Sequence, residues 1–302
     1  DIIVCEACEY VDTFLQLTPA ISIILNIDAD HLDYFKNLDN IKKSFRKFAG
    51  QTSRLLVLNG DDQNTLDAVD GVSLDKLLYG FGEHNDYRAA NLTVSHGAVQ
   101  HFNVIYQGET LTQVTLNVPG KHNVLNALAA FAVAHHLGDS PALIAENLEK
   151  FTGVHRRFEI LGKPCGITVA DDFAHHPTEL TATLTAAMEM GFKRVWAVFQ
   201  PHTYSRTAML LDDFAKALSI PDKVVMSEIL AVREENTYGI YTKDLAEKIP
   251  GSVWFNTFEE ITGHICENAQ PGDLVLTLGG GNVYMCAGMI LKALNAKEYH
   301  GQ

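Results

Sequence analysis

The segment NIDADHLDYF, residues 26–35, sets Asp28, Asp30, His31 and Asp33 within six positions, directly behind the apolar run ISIILNI. Carboxylates and an imidazole at the end of a buried strand are donor types that a divalent cation takes. A calcium-binding loop of the EF-hand kind needs acids at alternate positions and a glycine at the sixth, and neither is present. A catalytic magnesium site needs only one or two protein ligands, because water and phosphate oxygens complete its shell. A polar helix-capping loop is the competing reading of the same residues. A second acid-bearing stretch, CEACEY, places Glu6 and Glu9 behind DIIV. It reads either as a pair of exposed loop acids or as part of a shared cation site.

Further along, GKHNVLNA (120–127) opens a helical pattern carrying Asn123 and Asn126. Asn123 suits a cap, but Asn126 lies a turn later, where asparagine is a poor helix former. An asparagine side chain donates and accepts together, which suits the edge of an adenine. HRRF (155–158) sets Arg156 and Arg157 at a predicted domain seam, where a guanidinium fork suits either a bridging phosphate or an interdomain carboxylate. DDFAHHPTE (171–179) puts Asp171, Asp172, His175 and His176 between a strand and a Pro-started helix, and QPHTYSRT (200–207) repeats the design with His202 and Arg206. Two such clusters on adjacent βα turns predict one shared crevice. The LGGGN turn (278–282) either admits a phosphate at a helix start or permits tight packing.

The elements that must position these residues follow from periodicity. ISIILNI and RLLVLNG read as buried strands around a helix at 38–50, with Ile41, Phe45 and Phe48 at helical spacing. From about Tyr87 to Val118 the period changes to two, which predicts an antiparallel hairpin or meander. Two helices follow, the second with Ser140 as cap and Pro141 in its first turn. A boundary is expected within 152–166. Beyond it the strands ITVADD, RVWAVFQ, KVVMSEI, SVWFN and DLVLTLG alternate with helices, which predicts a doubly wound, mostly parallel sheet with ligands beyond its carboxyl ends.

The chain has 302 residues and a formal charge of −14. That balance argues against nucleic acid and against anionic membrane surfaces, both of which attract a Lys/Arg excess. The five cysteines include a single C-x-x-C, Cys5 and Cys8, without the second pair of a zinc site, and read as reduced thiols. No apolar run reaches a membrane span and no signal peptide is visible, so no membrane insertion and a cytoplasmic location are expected. The chain opens on DIIVCEA, which reads as a strand already under way, and without an initiator Met. A natural protein longer at its N-terminus is expected.

NIDADHLDYF, PGKHNVLNALAA, GVHRRFE, DDFAHHPTE and QPHTYSRT, in this order, resemble the signatures of the Mur ligases over nearly the whole chain. The resemblance implies an α/β chain with a partial central ATPase domain (mixed sheet with helices) at 1–153, then a Rossmann-like C-terminal domain at 154–302. No G-x-x-x-x-G-K-[ST] phosphate loop occurs in the chain, which implies that the family's N-terminal UDP-sugar domain and the start of its ATPase domain are missing, and that the isolated chain is inactive. The implied reaction is ATP-dependent amide formation in peptidoglycan precursor synthesis, through an acyl phosphate, with ATP and Mg2+ as cofactors. The blocks are closest to the branch that joins L-alanine to UDP-N-acetylmuramate. A murein-peptide recycling ligase, which shares DDFAHHPT, and a non-catalytic nucleotide- or partner-binding fragment are the alternatives. By the resemblance Glu6 and His31 hold magnesium, Asn123 and Asn126 meet adenine, and Arg156 and Arg157 reach phosphate. Asp172 serves the ribose, and His175, His176, His202 and Arg206 face the acyl and amino-acid substrates. Two positions depart from the pattern. Thr203 stands where an arginine can occur, and Phe45 stands fourteen residues after His31, where several members carry a carbamoylated lysine.

Overall fold

The computed structural model describes residues 2–95 and 99–300, with the side chains of Asp33, Tyr299 and His300 outside that set. Backbone contacts divide it into two compact units, one running to Phe151 and one from Thr152, with Val118–Lys121 belonging to the second.

The first unit is built on one six-stranded sheet. Its strands are β1 (Ile21–Ile24), β2 (Leu55–Asn59), β3 (Lys76–Gly80), β4 (Tyr87–Val94), β5 (Gln100–Tyr106) and β6 (Glu109–Leu116), in that spatial order. Pairing is parallel from β1 to β4 and antiparallel from β4 to β6. The meander expected after Tyr87 is therefore three-stranded. Helices α1 (Leu32–Phe35), α2 (Leu38–Gln51) and α3 (Gln63–Ala68) connect the parallel strands, and α4 (Lys121–His136) and α5 (Pro141–Glu149) follow the meander. The start of α2 is set by Asn37, whose side chain accepts from the Asn40 N–H at 3.0 Å. Ile41 and Phe48 are buried, and Phe45 and Phe48 pack on Phe14 at ring distances of 5.1 and 4.7 Å. Phe14 belongs to a short 3-10 helix, Tyr10–Gln16.

Two strand expectations need correction here. Only Ile21–Ile24 of ISIILNI joins the ladder. Ile2, Ile3 and Val4 form no strand: all three residues are exposed, and their backbone joins neither sheet among the described residues. A strand is stable only where a neighbour satisfies its N–H and C=O groups, so apolar composition alone misread this stretch.

The second unit has strands β7 (Glu159–Gly162), β8 (Thr168–Asp172), β9 (Val195–Phe199), β10 (Lys223–Ser227), β11 (Val253–Phe255) and β12 (Leu274–Leu278). Their order is β11-β10-β9-β12-β8-β7. The last five in chain order are parallel, as periodicity predicts, and β7 adds an antiparallel edge on β8. Helices α6 (Pro177–Glu189), α7 (Tyr204–Met209), α8 (Leu211–Ala217), α9 (Thr242–Ala246) and α10 (Phe258–Asn268) make the crossovers, and α11 (Tyr284–His300) follows the last strand. Ala197 and Phe199 enter one apolar cluster with Leu180 and Phe214, whereas Trp196 and Val198 enter another with Ile265 and Ile290. That division is the period-two alternation of a strand covered on both faces. Among the described residues no helix is long and apolar enough to cross a membrane.

The strand order corrects one expectation that bears on function. β8 and β9 are consecutive in the chain but are not neighbours in the sheet, because β12 lies between them. The turns after β8 and β9 therefore meet only across the turn that follows β12.

Candidate functional site

In the first unit the acid-rich turn stands at the carboxyl side of β1. His31 has a left-handed backbone (φ 52°) at the start of α1. Its ring lies over Tyr10 at 4.6 Å, and its Nε2 is 3.5 Å from Glu9 and 3.7 Å from Asp30. Beside the His31 ring the Glu9 carboxyl is held below the usual carboxylate range. Asp28 accepts from the Ala29 N–H and Asp30 from the His31 N–H, both at 2.7 Å, so part of this acid density shapes the turn. Glu6 is exposed, and Glu9 is the acid of that stretch that the fold sets beside His31. Among the described residues no group of three or more His, Cys, Asp or Glu side chains could hold a metal ion. One imidazole with one or two carboxylates suits a hard cation that keeps water and phosphate oxygens in its shell, and this donor set fits magnesium on those terms. Phe45 points its ring at Phe14.

Asn123 and Asn126 share one face of the first turns of α4, with the Asn126 amide donating to the Asn123 carbonyl at 3.4 Å. Asn126 is exposed. The i, i+3 spacing places both amides on one face of the helix.

In the second unit the two arginines of HRRF part company. Arg156 is an internal staple. Its Nε donates to buried Asp171 at 2.9 Å and its Nη2 to the Gly279 carbonyl at 2.8 Å. Its guanidinium lies 4.8 Å from the ring centroids of both Phe173 and Tyr284. Arg157 is 56% exposed, 3.9 Å from Glu179 and 5.6 Å from the Phe173 ring. The loop holding them is bent through left-handed backbone at Arg156 (φ 59°) and Phe158 (φ 48°), a conformation that non-glycine residues keep only where surroundings enforce it. Asp172 supplies part of that enforcement. Its carboxylate accepts from the Phe158 N–H at 2.8 Å and from the Ala174 N–H at 2.7 Å. Burial pushes the Asp172 carboxyl up to about 6, against those two donors and Arg157.

His175 and His202 come together across β12, their rings edge-on at 5.7 Å. Glycine makes the approach possible. A Cβ on Gly280 would stand 3.1 Å from the His175 ring, and one on Gly281 would stand 2.3 Å from Leu230 and 2.5 Å from Gln200. The LGGGN turn thus serves as a low bridge between two loops that would otherwise be kept apart by an intervening side chain. Gln200 and Asn282 lock it by reciprocal bonds, amide to carbonyl at 2.9 Å and N–H to carbonyl at 3.1 Å. Arg206 reaches back one turn of α7 to the His202 ring, Nη1 to Nδ1 at 3.3 Å. His176 is the cap of α6: its Nδ1 accepts from the Thr178 N–H at 3.3 Å, and Glu179 answers in a capping box. His176 Nε2 is buried with no hydrogen-bond partner among the described residues.

Glu179 is a residue of this cluster that its motif alone does not single out. Its carboxylate accepts from the His175 N–H at 2.9 Å and the His176 N–H at 3.2 Å, and stands 3.3 Å from His175 Nδ1. The H-P-T-E spacing, a cap followed three residues later by Glu, is the signal that would have found it. Asp171, the first acid of the same block, is the buried partner of Arg156.

The chain matches the Mur ligase middle domain over residues 1–134 and the Mur ligase, glutamate ligase domain over residues 156–281. It is similar to the UDP-N-acetylmuramate–L-alanine ligase of Caldanaerobacter subterraneus subsp. tengcongensis, with 45% identity over 287 residues, covering 93% of this chain and 62% of that protein. Among solved structures it is similar to the UDP-N-acetylmuramate–alanine ligase MurC of Thermotoga maritima, at TM-score 0.77 and 28% identity, covering 95% of this chain and 62% of the other. A murein peptide ligase from Psychrobacter arcticus follows at TM-score 0.64 and 25% identity, covering 94% and 59%. The chain thus spans less than two thirds of the length of these relatives. It belongs to the Mur ligase family, of which it carries the middle domain and the C-terminal, glutamate ligase domain.

Proposed function

We propose that this chain supplies the nucleotide-binding and acceptor-binding parts of an ATP-dependent ligase that joins L-alanine to the lactyl carboxylate of UDP-N-acetylmuramate through an acyl phosphate, in cytoplasmic peptidoglycan precursor synthesis. The observation that carries the reading is the meeting of His175, His202 and Arg206 across β12, in a chain 45% identical to a protein of that name. Asn123 and Asn126 present paired amides to adenine. His31, with Glu9 and with Glu6 as the motif implies, holds magnesium, which when bound neutralises charge on phosphate oxygens. Arg157, exposed and 3.9 Å from Glu179, is the arginine of HRRF placed to reach a phosphate, while Arg156 holds the loop that presents it. Arg206 attracts the carboxylate of the amino acid or the phosphate of the activated acid, as a guanidinium fork suits either. Asp172 supports the Arg157 loop, and contact with a ribose adds to that role through its remaining lone pairs.

The test is phosphate release by the natural full-length protein with ATP, magnesium and UDP-N-acetylmuramate. Release that depends on L-alanine is expected. Release that depends on a murein peptide instead would transfer the chain to the recycling ligases, which the Psychrobacter arcticus likeness keeps in view. Nucleotide binding without release under either condition would leave the non-catalytic reading.

A further inference from the structure

We propose that hydrogen bonding in the C-terminal unit sorts His175 and His202 into opposite tautomers, so that His175 accepts the proton of the attacking amine while His202 donates beside it. The inference rests on the amide-forming reading above. Donor inventory decides both rings. His175 Nδ1 lies 3.0 Å from the Phe173 carbonyl oxygen and 3.3 Å from the Glu179 carboxylate. Both neighbours only accept, so Nδ1 bears the proton and, in the neutral ring, Nε2 bears the lone pair. His202 Nδ1 lies 3.3 Å from Arg206 Nη1. A guanidinium only donates, so here Nδ1 bears the lone pair and Nε2 the proton. His176 is a third case, since its Nδ1 accepts from a backbone N–H. That ring is spent on capping α6 and is buried.

The pair sits edge-on at 5.7 Å, so that in this scheme the acceptor nitrogen of one ring and the donor nitrogen of the other serve one substrate. An amino acid arrives as an ammonium ion. One N–H bond breaks and its proton passes to His175 Nε2. The freed lone pair forms the C–N bond at the acyl phosphate carbon; the C–O bond to phosphate breaks with its electrons leaving on phosphate, and a second N–H bond breaks with its proton passing to that phosphate, which departs as hydrogen phosphate and leaves a neutral amide. His202 Nε2–H donates to the carbonyl oxygen as that oxygen gains charge. The imidazolium formed at His175 faces the Glu179 carboxylate on its Nδ1 side, with Arg157 beyond it at 3.9 Å from Glu179. His202 and Arg206 face it from the opposite turn. Glu179 and Arg206 are positioning residues in this scheme, since each sets the tautomer of the histidine it touches.

The experiment labels the full-length protein with 15N-histidine and reads ring 15N–1H correlations at a pH where the rings are neutral, with His175→Gln and His202→Gln giving the assignments. Protonation of His175 at Nδ1 and of His202 at Nε2 is expected. Either ring in the other tautomer, or averaged between the two, overturns the proposal. A second arm uses Glu179→Gln, which keeps an oxygen for the backbone N–H groups but removes the charge. Its kcat should fall about 100-fold, the usual range for losing a positioned acid–base partner, with the KM for ATP unchanged and part of the loss restored in Glu179→Asp. Unaltered kcat in Glu179→Gln overturns the base role. The tautomer measurement needs no substrate. Wild-type protein that forms no amide from alanine, with the rings sorted as expected, therefore refutes the proposed reaction and leaves the histidine assignment standing.

Discussion

Replacing Arg156 with Ala should unfold the C-terminal unit far more readily than replacing Arg157 with Ala. The Arg156 side chain is 16% exposed and that of Asp171 only 2%, at 2.9 Å. Removing the arginine leaves Asp171 buried with the Thr277 hydroxyl, at 2.5 Å, as its remaining side-chain donor among the described residues. Breaking a buried pair in this way costs about 3–5 kcal/mol, because an uncompensated charge stays behind. The Gly279 carbonyl loses a donor as well, and Phe173 and Tyr284 lose a packed guanidinium. For a unit of this size each kcal/mol moves the melting temperature by roughly 2–4 °C, so Arg156→Ala should melt roughly 6–20 °C lower. Arg157 makes an exposed, long ion pair, worth at most about 1 kcal/mol and screened by salt. Its variant should melt within a few degrees of wild type and, in the full-length ligase, lose activity. Thermal and urea unfolding of both variants, followed by circular dichroism, makes the comparison. Neutralising the orphaned acid in Arg156→Met/Asp171→Asn should return part of the lost stability. Equal melting shifts for the two single variants, or no rescue in the double, would refute the assignment of one arginine to the fold and the other to the ligand.

Asp172, whose folded carboxyl titrates near 6 because it is buried, should make stability fall as pH rises. The folded state holds the proton through the window between the ordinary carboxylate value and about 6, where the unfolded chain has released it. The stabilising contribution is therefore complete below pH 4 and gone above about pH 6. Wild type should lose about 3 kcal/mol relative to Asp172→Asn over that window, and a flat difference by urea titration at stepped pH would exclude the effect. Arg206→Ala in full-length enzyme should raise the KM for alanine or the UDP-sugar severalfold and leave that for ATP nearly unchanged; a selective rise for ATP in steady-state assays moves the residue to the nucleotide side. The 302-residue chain assayed alone should release no phosphate above background, since it contains no phosphate loop to hold the γ-phosphate in line, and turnover near that of the full-length ligase would refute this.

Much of the C-terminal unit was legible because its strands are covered on both faces. Runs such as VWAVF are apolar throughout, and a continuous apolar run bounded by turn residues has one main reading. The edge strand β7 escaped notice because EILG is four residues long and half-exposed, too short to show a period. In the first unit the period-two stretch after Tyr87 was plain, whereas Ile2, Ile3 and Val4 show that apolar character without a neighbour does not make a strand. Chemistry-bearing blocks were visible as blocks. Their internal division of labour was not. Nothing in HRRF distinguishes the guanidinium that meets Asp171 from the one that is exposed, because that difference arises from the left-handed turn at Arg156. Nor does the proximity of Glu9 to His31 follow from CEACEY, where Glu6 and Glu9 stand three apart as equivalent exposed acids.

The crevice in the second unit is specified less by its reactive side chains than by what is withheld between them. Neighbouring parallel strands stand about 4.8 Å apart, so β8 and β9, flanking β12, bring their turns to roughly twice that separation. Two imidazoles span such a gap only if the middle turn carries no side chain there; Gly280 meets that condition beside His175, and Gly281 leaves room for Leu230 and Gln200. The Gln200–Asn282 pair then prevents the bare turn from moving away. On the far side Thr203 holds left-handed backbone (φ 66°), an unusual state for a β-branched residue. It is kept there by its N–H bond to the Leu230 carbonyl at 2.9 Å and by its hydroxyl, which accepts from the Arg206 N–H at 3.4 Å to start α7. That bend turns the chain from His202 into the helix that sends Arg206 back over the imidazole. A residue without a side-chain acceptor at 203 would lose the cap, and with it the register that places Arg206 against His202. Threonine in place of an arginine at this position therefore gives up a charge and supplies the cap that holds Arg206 against His202.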